Sequence, residues 1–247
     1  MTEKPRGWPG AMLLLLAASG VLLTACLGFW QLGRAAEKLA LQAAKTAQAR
    51  QTVLDGRSLG GPDVSAEQRA RLVHRSMALT GQWLVQHTIY LENRQMNGKP
   101  GFFVLTPMRL EETGVVVLVQ RGWVQRVFSD RTALPPIETP QGTVQVQGHL
   151  APWPSRLYDF GGVESGVIRQ NLDLQAFRQE IGLQLLELTL LQSGQASEGL
   201  LREWPVVASG VEKHHGYAFQ WFGLSALIAL LYVWFQIVQP RRRPKSA

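Results

Sequence analysis

Two histidines in succession, His214 and His215, stand directly before Gly216-Tyr217-Ala218-Phe219-Gln220-Trp221. If a helix already includes His214, then His214, Tyr217 and Trp221 fall at i, i+3 and i+7, on one stripe. A neutral imidazole can ligate iron, haem iron included, and aromatic rings along the stripe could pack on a porphyrin. The same residues also suit a membrane–water boundary, where Tyr and Trp collect with no ligand involved. The residues alone leave both readings open.

A second group lies near the start of the chain: Gly28, Trp30, Gln31, Arg34 and Lys38. Gln31 and Arg34 are i, i+3 neighbours on a helix, and Lys38 is one turn further. They read either as an interfacial anchor on lipid phosphate or as a cationic clamp for carboxylates such as the propionates of a haem. A third group is Asn93-Arg94, Gly98, Pro100-Gly101, Thr106-Pro107 and Arg121-Gly122-Trp123. Arginines beside glycine and tryptophan form either an internal polar network or a docking surface, and the internal role is the preferred reading.

Other chemistry has little to stand on. There is no G-x-G-x-x-G, Walker loop, G-x-S-x-G or H-E-x-x-H. His74, His87 and His149 lie in or beside predicted strands and read as surface residues. No paired carboxylates stand out. The sequence makes no positive case for catalysis.

The first two groups must be positioned by the two apolar runs they border. Ala11 to Leu32 holds no charge, and neither does Gly216 to Val238. Each run makes roughly 33 Å of helix, enough to cross a hydrocarbon core of about 30 Å. The net charge of +7 over 247 residues resembles a nucleic-acid signal, but its distribution does not. Lys4, Arg6, Arg241, Arg242, Arg243 and Lys245 against Glu3 put +5 of that +7 on the tails. Basic tails beside apolar spans follow the positive-inside rule, so both termini are expected in the cytoplasm and no nucleic acid is expected as a partner. The expected order is a tail (1–10), a first span (11–32), an extracytoplasmic domain (33–213), a second span (216–238) and a basic tail (239–247). The only cysteine, Cys26, excludes an intramolecular disulfide. Leu23-Thr24-Ala25-Cys26 resembles a lipobox, but the run continues apolar through Trp30, which favours an uncleaved anchor.

Between the spans the pattern changes. Leu32 to Thr52 is rich in helix formers and should extend the first helix. Gly60-Gly61-Pro62 breaks it, and Ser65 with Gln68 forms a capping box for a short helix to Arg71. Alternation then predicts strands at 73–83, 88–94, 102–110, 115–124, 143–150 and 185–191, with turns at Asn97-Gly98 and Glu112-Thr113-Gly114. A short helix capped by Asp173 should run to Ile181. Pro135-Pro136, Pro140 and the stretch from Pro152 to Gly166 read as loops. The expected fold is α+β: two transmembrane helices flanking a β-rich antiparallel domain with short helices.

The motifs, taken in order, resemble the Surfeit-locus family of cytochrome c oxidase assembly factors. Gly28-x-Trp30-Gln31-x-x-Arg34-x-x-x-Lys38 is similar to its first-span signature. Asn93-Arg94, Gly98, Pro100-Gly101, Thr106-Pro107 and Val119-x-Arg121-Gly122-Trp123-Val124 are similar to its central signature. Trp204-Pro205, His214, Tyr217-Ala218 and Trp221-Phe222 are similar to its second-span signature. The chain departs from the pattern at Glu37, where the family usually has tryptophan, at Gln120 and Gln125, and at Glu212, Lys213 and His215 around the histidine.

The resemblance implies help in maturing a haem-copper oxidase by holding or delivering haem a, bound transiently. It implies His214 as the haem-iron ligand, with Tyr217, Trp221, Arg34 and Lys38 around the cofactor. It also implies Asn93, Arg94, Arg121 and Trp123 as a docking region. The expected partners are the largest subunit of cytochrome c oxidase, haem a synthase and membrane lipid, in a bacterial inner membrane. Two rivals stand beside this expectation. One is a cofactor-free scaffold holding the oxidase subunit. The other is a membrane-anchored periplasmic enzyme with an unrecognised site.

Overall fold

A computed structural model describes residues 10–61, 64–130, 133–158, 164–204 and 210–242. The chain divides into two compact units, Lys45–Val206 and the pair of terminal segments Met1–Ala44 with Val207–Ala247. The basic residues of the tails, apart from Arg241 and Arg242, lie outside the described residues, as do Pro62 and Pro205.

The terminal unit is built from two long helices. Helix α1 spans Gly10–Ala49 and α4 spans Val211–Val233, continuing through a π-helical stretch at Trp234–Val238 to Arg242. Both are long and apolar enough to cross a membrane. Most of their large side chains face outward, among them Leu15, Leu22, Leu23, Phe219 and Leu230. Surface of that kind is stable in lipid and not in water. The continuation of α1 beyond Trp30 follows from the Ala-, Gln- and Lys-rich sequence, and the helix ends three residues before the expected Thr52.

The second unit is a closed β-barrel with additions. Its strands are β1 (Leu54–Asp55), β2 (Ser76–Trp83), β3 (Ile89–Met96), β4 (Lys99–Leu110), β5 (Val116–Gln125), β6 (Thr143–Pro152), β7 (Ile168–Arg169) and β8 (Leu185–Gln192). Helix α2 (Ala66–Leu72) and α3 (Leu174–Ile181) are short. The Ser65–Gln68 capping box is present with both of its hydrogen bonds, and Asp173 caps α3 through the Ala176 amide.

Pairing runs β2–β6–β8–β5–β4 and then returns to β2, which closes the ring. Strand β4 is long enough to serve two neighbours. Its first part pairs with β3, and its last residues, Met108–Leu110, pair with Trp83–Gly81 of β2. Gly81 permits that closure, because a Cβ there would lie 2.3 Å from the Arg109 carbonyl oxygen.

The antiparallel meander β3–β4–β5 is as the turns predict, but the sheet is not wholly antiparallel. Strand β8 pairs parallel with β5, β1 with β2, and β7 with β3. The expected strand start at Val73 is also corrected to Ser76. His74 has φ 70° and turns the chain before the ladder begins.

Strand β5 shows how the core is laid out. Val117 and Val119 join Leu79, Met108, Val146, Leu150 and Leu190 in one cluster. Val116 and Leu118 join Leu91, Leu105, Phe177 and Leu185 in a second, against α3. A strand covered on both faces must be apolar on both, which is why 115–119 reads as a continuous run of Val and Leu.

Candidate functional site: the paired ends of two helices

The two terminal helices pack antiparallel along a seam of small residues. Gly20, Thr24 and Gly28 recur every fourth residue on α1, a small-xxx-small pattern that lets helix backbones approach closely. A Cβ on Gly28 would lie 2.7 Å from the Phe222 ring, so no larger residue fits without displacing it. Phe29 meets Phe222 edge-to-face at 5.1 Å. Ser225 Oγ donates to the Val21 carbonyl at 3.1 Å, and Thr24 Oγ1 donates back to Gly20 O at 2.8 Å.

Further along the seam the helices carry the predicted site residues. The helix includes His214, as the i, i+3, i+7 reading requires. His214 Nδ1 lies 2.7 Å from Gln31 Oε1, the polar contact joining the first-span and second-span motifs. Nε2 of His214 has no hydrogen-bond partner among the described residues. Ala35 and Ala218, 1% and 2% exposed, are the buried small residues on either side of this contact.

Lys38 reaches the start of α4, with Nζ 3.3 Å from where a Cβ on Gly210 would stand. Gly210 is in the left-handed conformation (φ 65°) that begins the helix. Arg34 forms an exposed ion pair with Glu37 at 2.7 Å. Glu37 therefore offsets the charge that the clamp reading assigns to Arg34. An exposed pair of this kind is worth little in stability and is readily exchanged for another anion.

The expected stripe is only partly the packed one. His214 and Trp221 are half-buried, whereas Tyr217 is 52% exposed. Ala218, not Tyr217, faces the neighbouring helix one turn after His214.

The third group lies in the barrel unit, and most of its charged and aromatic side chains point inward, as the preferred internal reading has it. Arg94, Arg121 and Trp123 are buried. Two β-bulges put the arginines there. On β3, register is lost between Leu91 and Arg94, where Asn93 adopts φ 58°. On β5, Val104 faces Gly122 and Leu105 faces Gln120, so Arg121 is the extra residue. A bulge re-aims a side chain, and here it turns a guanidinium inward.

Arg121 donates to Thr139 Oγ1 at 2.8 Å, to Glu138 O at 2.8 Å and to Glu198 at 2.7 Å, with its guanidinium 4.9 Å from the Trp83 ring centre. Arg94 donates to Ser155 O at 3.0 Å and Gln170 O at 3.1 Å. Burial lowers the Arg94 pKa from its ordinary value. Trp123 Nε1 donates to Arg94 O at 2.9 Å. Gly101 admits the Trp123 ring, since a Cβ there would lie 2.5 Å from it. Asn93, unlike Arg94, Arg121 and Trp123, is exposed, bonded to Gln170 at 3.1 Å. The guanidinium groups bond inside the domain through their terminal nitrogens, while Nε of both arginines is buried without a hydrogen-bond partner among the described residues.

Sequence reasoning missed Glu198 and Arg202. Arg202 donates to Arg121 O at 2.9 Å and faces Glu198 at 3.5 Å. Burial lowers the Arg202 pKa, Glu198 opposes that shift, and Arg121 adds to it. The one local signal was Glu198-Gly199, a turn pair of the kind that joins short strands.

Comparison with known proteins follows the same residues. Residues 18–226 match the SURF1 family, a span that runs from within α1 through the barrel and into α4. A SURF1-like protein of Rickettsia felis is 30% identical over 233 residues, covering 90% of this chain and 94% of its own length. One from Rickettsia bellii is 25% identical over 217 residues, covering 85% of each chain. The cytochrome oxidase assembly protein SHY1 of Saccharomyces cerevisiae is 27% identical over 142 residues, covering 57% of this chain and 36% of its own. With two apolar helices, a barrel between them and a match running through all three, this chain belongs to the SURF1 family.

Proposed function

We propose that this protein is a membrane-anchored assembly factor for a cytochrome c oxidase, and that its helix pair holds haem a for the oxidase's largest subunit. The name of the yeast relative supports the first half. One observation carries the second: His214 is bonded through Nδ1 to Gln31, and its other ring nitrogen has no hydrogen-bond partner among the described residues.

The donor set fits the group. Haem a supplies an iron centre that accepts an imidazole nitrogen. His214 Nε2 would be the nitrogen that holds the iron. Lys38 and Arg34 would hold the propionate carboxylates, Arg34 by exchanging Glu37 for them. Trp221 and Tyr217 would cover the apolar macrocycle. The seam of Gly20, Thr24 and Gly28 holds the two helices in register, so that ligand and cations stay together.

In this reading the spans set the compartment. Arg241-Arg242-Arg243 and the basic N-terminal tail hold both ends in the cytoplasm of a bacterial cell. Residues 33–213 then lie on the periplasmic side, where the barrel meets the oxidase subunit. Haem a synthase is the source of the cofactor, and no catalytic step is assigned to the chain.

The test is a His214→Ala protein purified from haem-a-producing cells. It should lose the haem absorbance of the wild type. An unchanged content and spectrum would remove the ligand assignment. Deleting the gene should weaken the haem a band in reduced-minus-oxidised membrane spectra, and a normal band with full oxidase activity would remove the assembly reading.

A further inference from the structure

We infer that Gln31 is a positioning residue that selects the ligating nitrogen of His214 and, being neutral, keeps the ligation reversible. The inference rests on the reading of His214 as the haem ligand. Its own basis is one contact between residues 183 apart in sequence, at 2.7 Å.

The chemistry follows from the two side chains. Gln31 Oε1 is an acceptor, so the imidazole nitrogen facing it carries the proton. Nδ1 is then N–H and Nε2 keeps its lone pair. The other tautomer would present an N–H outward and could not ligate a metal. The bond also stops the ring from turning about its χ2 axis, which fixes the direction of Nε2. Histidine ligands in metal sites are held in this way through the remote N–H, and the acceptor sets the basicity of the ring.

The surroundings show why a glutamine can do this here. Ala35 and Ala218 are buried beside the contact, so the helices run close enough for a side chain on one to reach a ring on the other. Gln31 and His214 are both half-buried, which shields the bond from competing water. A carboxylate at position 31 would pull the Nδ1 proton further and give the ring imidazolate character. That would make a stronger ligand. A neutral amide orients the ring without this added donation, which suits a protein that must give its cofactor up.

The experiment titrates haem a into the full-length protein in detergent micelles, comparing wild type with Gln31→Leu, Gln31→Glu and His214→Ala. Affinity, absorbance and midpoint potential of the bound haem are read for each. Gln31→Leu should bind about 10-fold more weakly. Gln31→Glu should bind at least as tightly as wild type, with a lower midpoint potential and slower transfer of haem to apomyoglobin.

A residue that merely packs would leave the Gln31→Leu protein, which keeps the volume and removes the acceptor, with the affinity and potential of the wild type. The inference fails if Gln31→Leu keeps both while His214→Ala loses haem. Haem retained by His214→Ala would instead overturn the underlying ligand assignment. Should Gln31→Leu not fold, Gln31→Met decides in its place, since it too keeps the volume and removes the acceptor.

Discussion

Arg121 and Glu198 are joined at 2.7 Å, from a bulge on β5 to a two-residue turn in which Glu198 and Gly199 both have positive φ, 60° and 78°. Ser197 and Leu200 pair on either side of that turn. The turn therefore exists to bring a carboxylate to a guanidinium that is 1% exposed. Removing one member of such a pair leaves a buried charge uncompensated, which is costly. Glu198→Gln keeps the turn and removes the charge. It should cost on the order of 3 kcal/mol and lower the melting temperature by roughly 6–12 °C, read by thermal unfolding in detergent.

Gly101 and Trp123 provide a second test in the same unit. A Cβ at 101 would stand 2.3 Å from the Val124 carbonyl oxygen as well as against the indole. The backbone of β5 cannot yield as a side chain tip could. Gly101→Ala should destabilise by about 1–3 kcal/mol. Trp123→Phe, which leaves the strand in place and removes the hydrogen bond to Arg94 O, should cost about 1 kcal/mol. The order of the two unfolding temperatures checks the assignment.

The helix pair can be tested without any cofactor. Val21→Cys with Ser225→Cys, in a Cys26→Ser background, should cross-link on mild oxidation, because the Ser225 hydroxyl reaches the Val21 carbonyl. Gly28→Ile should abolish the cross-link by driving a branched side chain into Phe222. Adding Phe222→Ala should restore it. Failure of that rescue would show that Gly28 acts other than through the seam.

His74 gives a pH dependence. Burial lowers its pKa, with Lys45 and then His149 adding to the effect. The unfolded chain therefore takes up this proton at higher pH than the folded one. Its contribution to stability is full above the ordinary histidine pKa and falls as pH drops through that value toward the folded one. Melting temperature should decline between pH 7.5 and 5. The decline should be shallower in His74→Asn, which tolerates the same left-handed backbone.

Much of this architecture was legible in local pattern. The six main strands show as alternation, the Ser65–Gln68 and Asp173 caps mark their helices, and the two apolar runs declare themselves by length. Ring closure was not legible, because it depends on β2 meeting β4 and on β8 entering parallel beside β5, pairings that no local window contains. The bulges at Asn93 and Arg121 each add one residue to a strand, and an added residue leaves alternation looking merely imperfect. That is why alternation alone does not show how deeply Arg94 and Arg121 are buried. At the helix ends, His214 was legible as a residue but its partner was not. Helical spacing relates residues on one helix and says nothing of a glutamine on another.

Strand β8 comes last along the chain yet sits between β5 and β6. Until the ribosome has delivered Gln192, those two strands present raw borders that another polypeptide could adopt. The keystone arrives only a short stretch before the second apolar helix emerges. Sealing of the barrel and insertion of that helix are thus neighbouring events in biogenesis, and a chain stopped short of β8 would be left as an adhesive, unsealed sheet on a single tether.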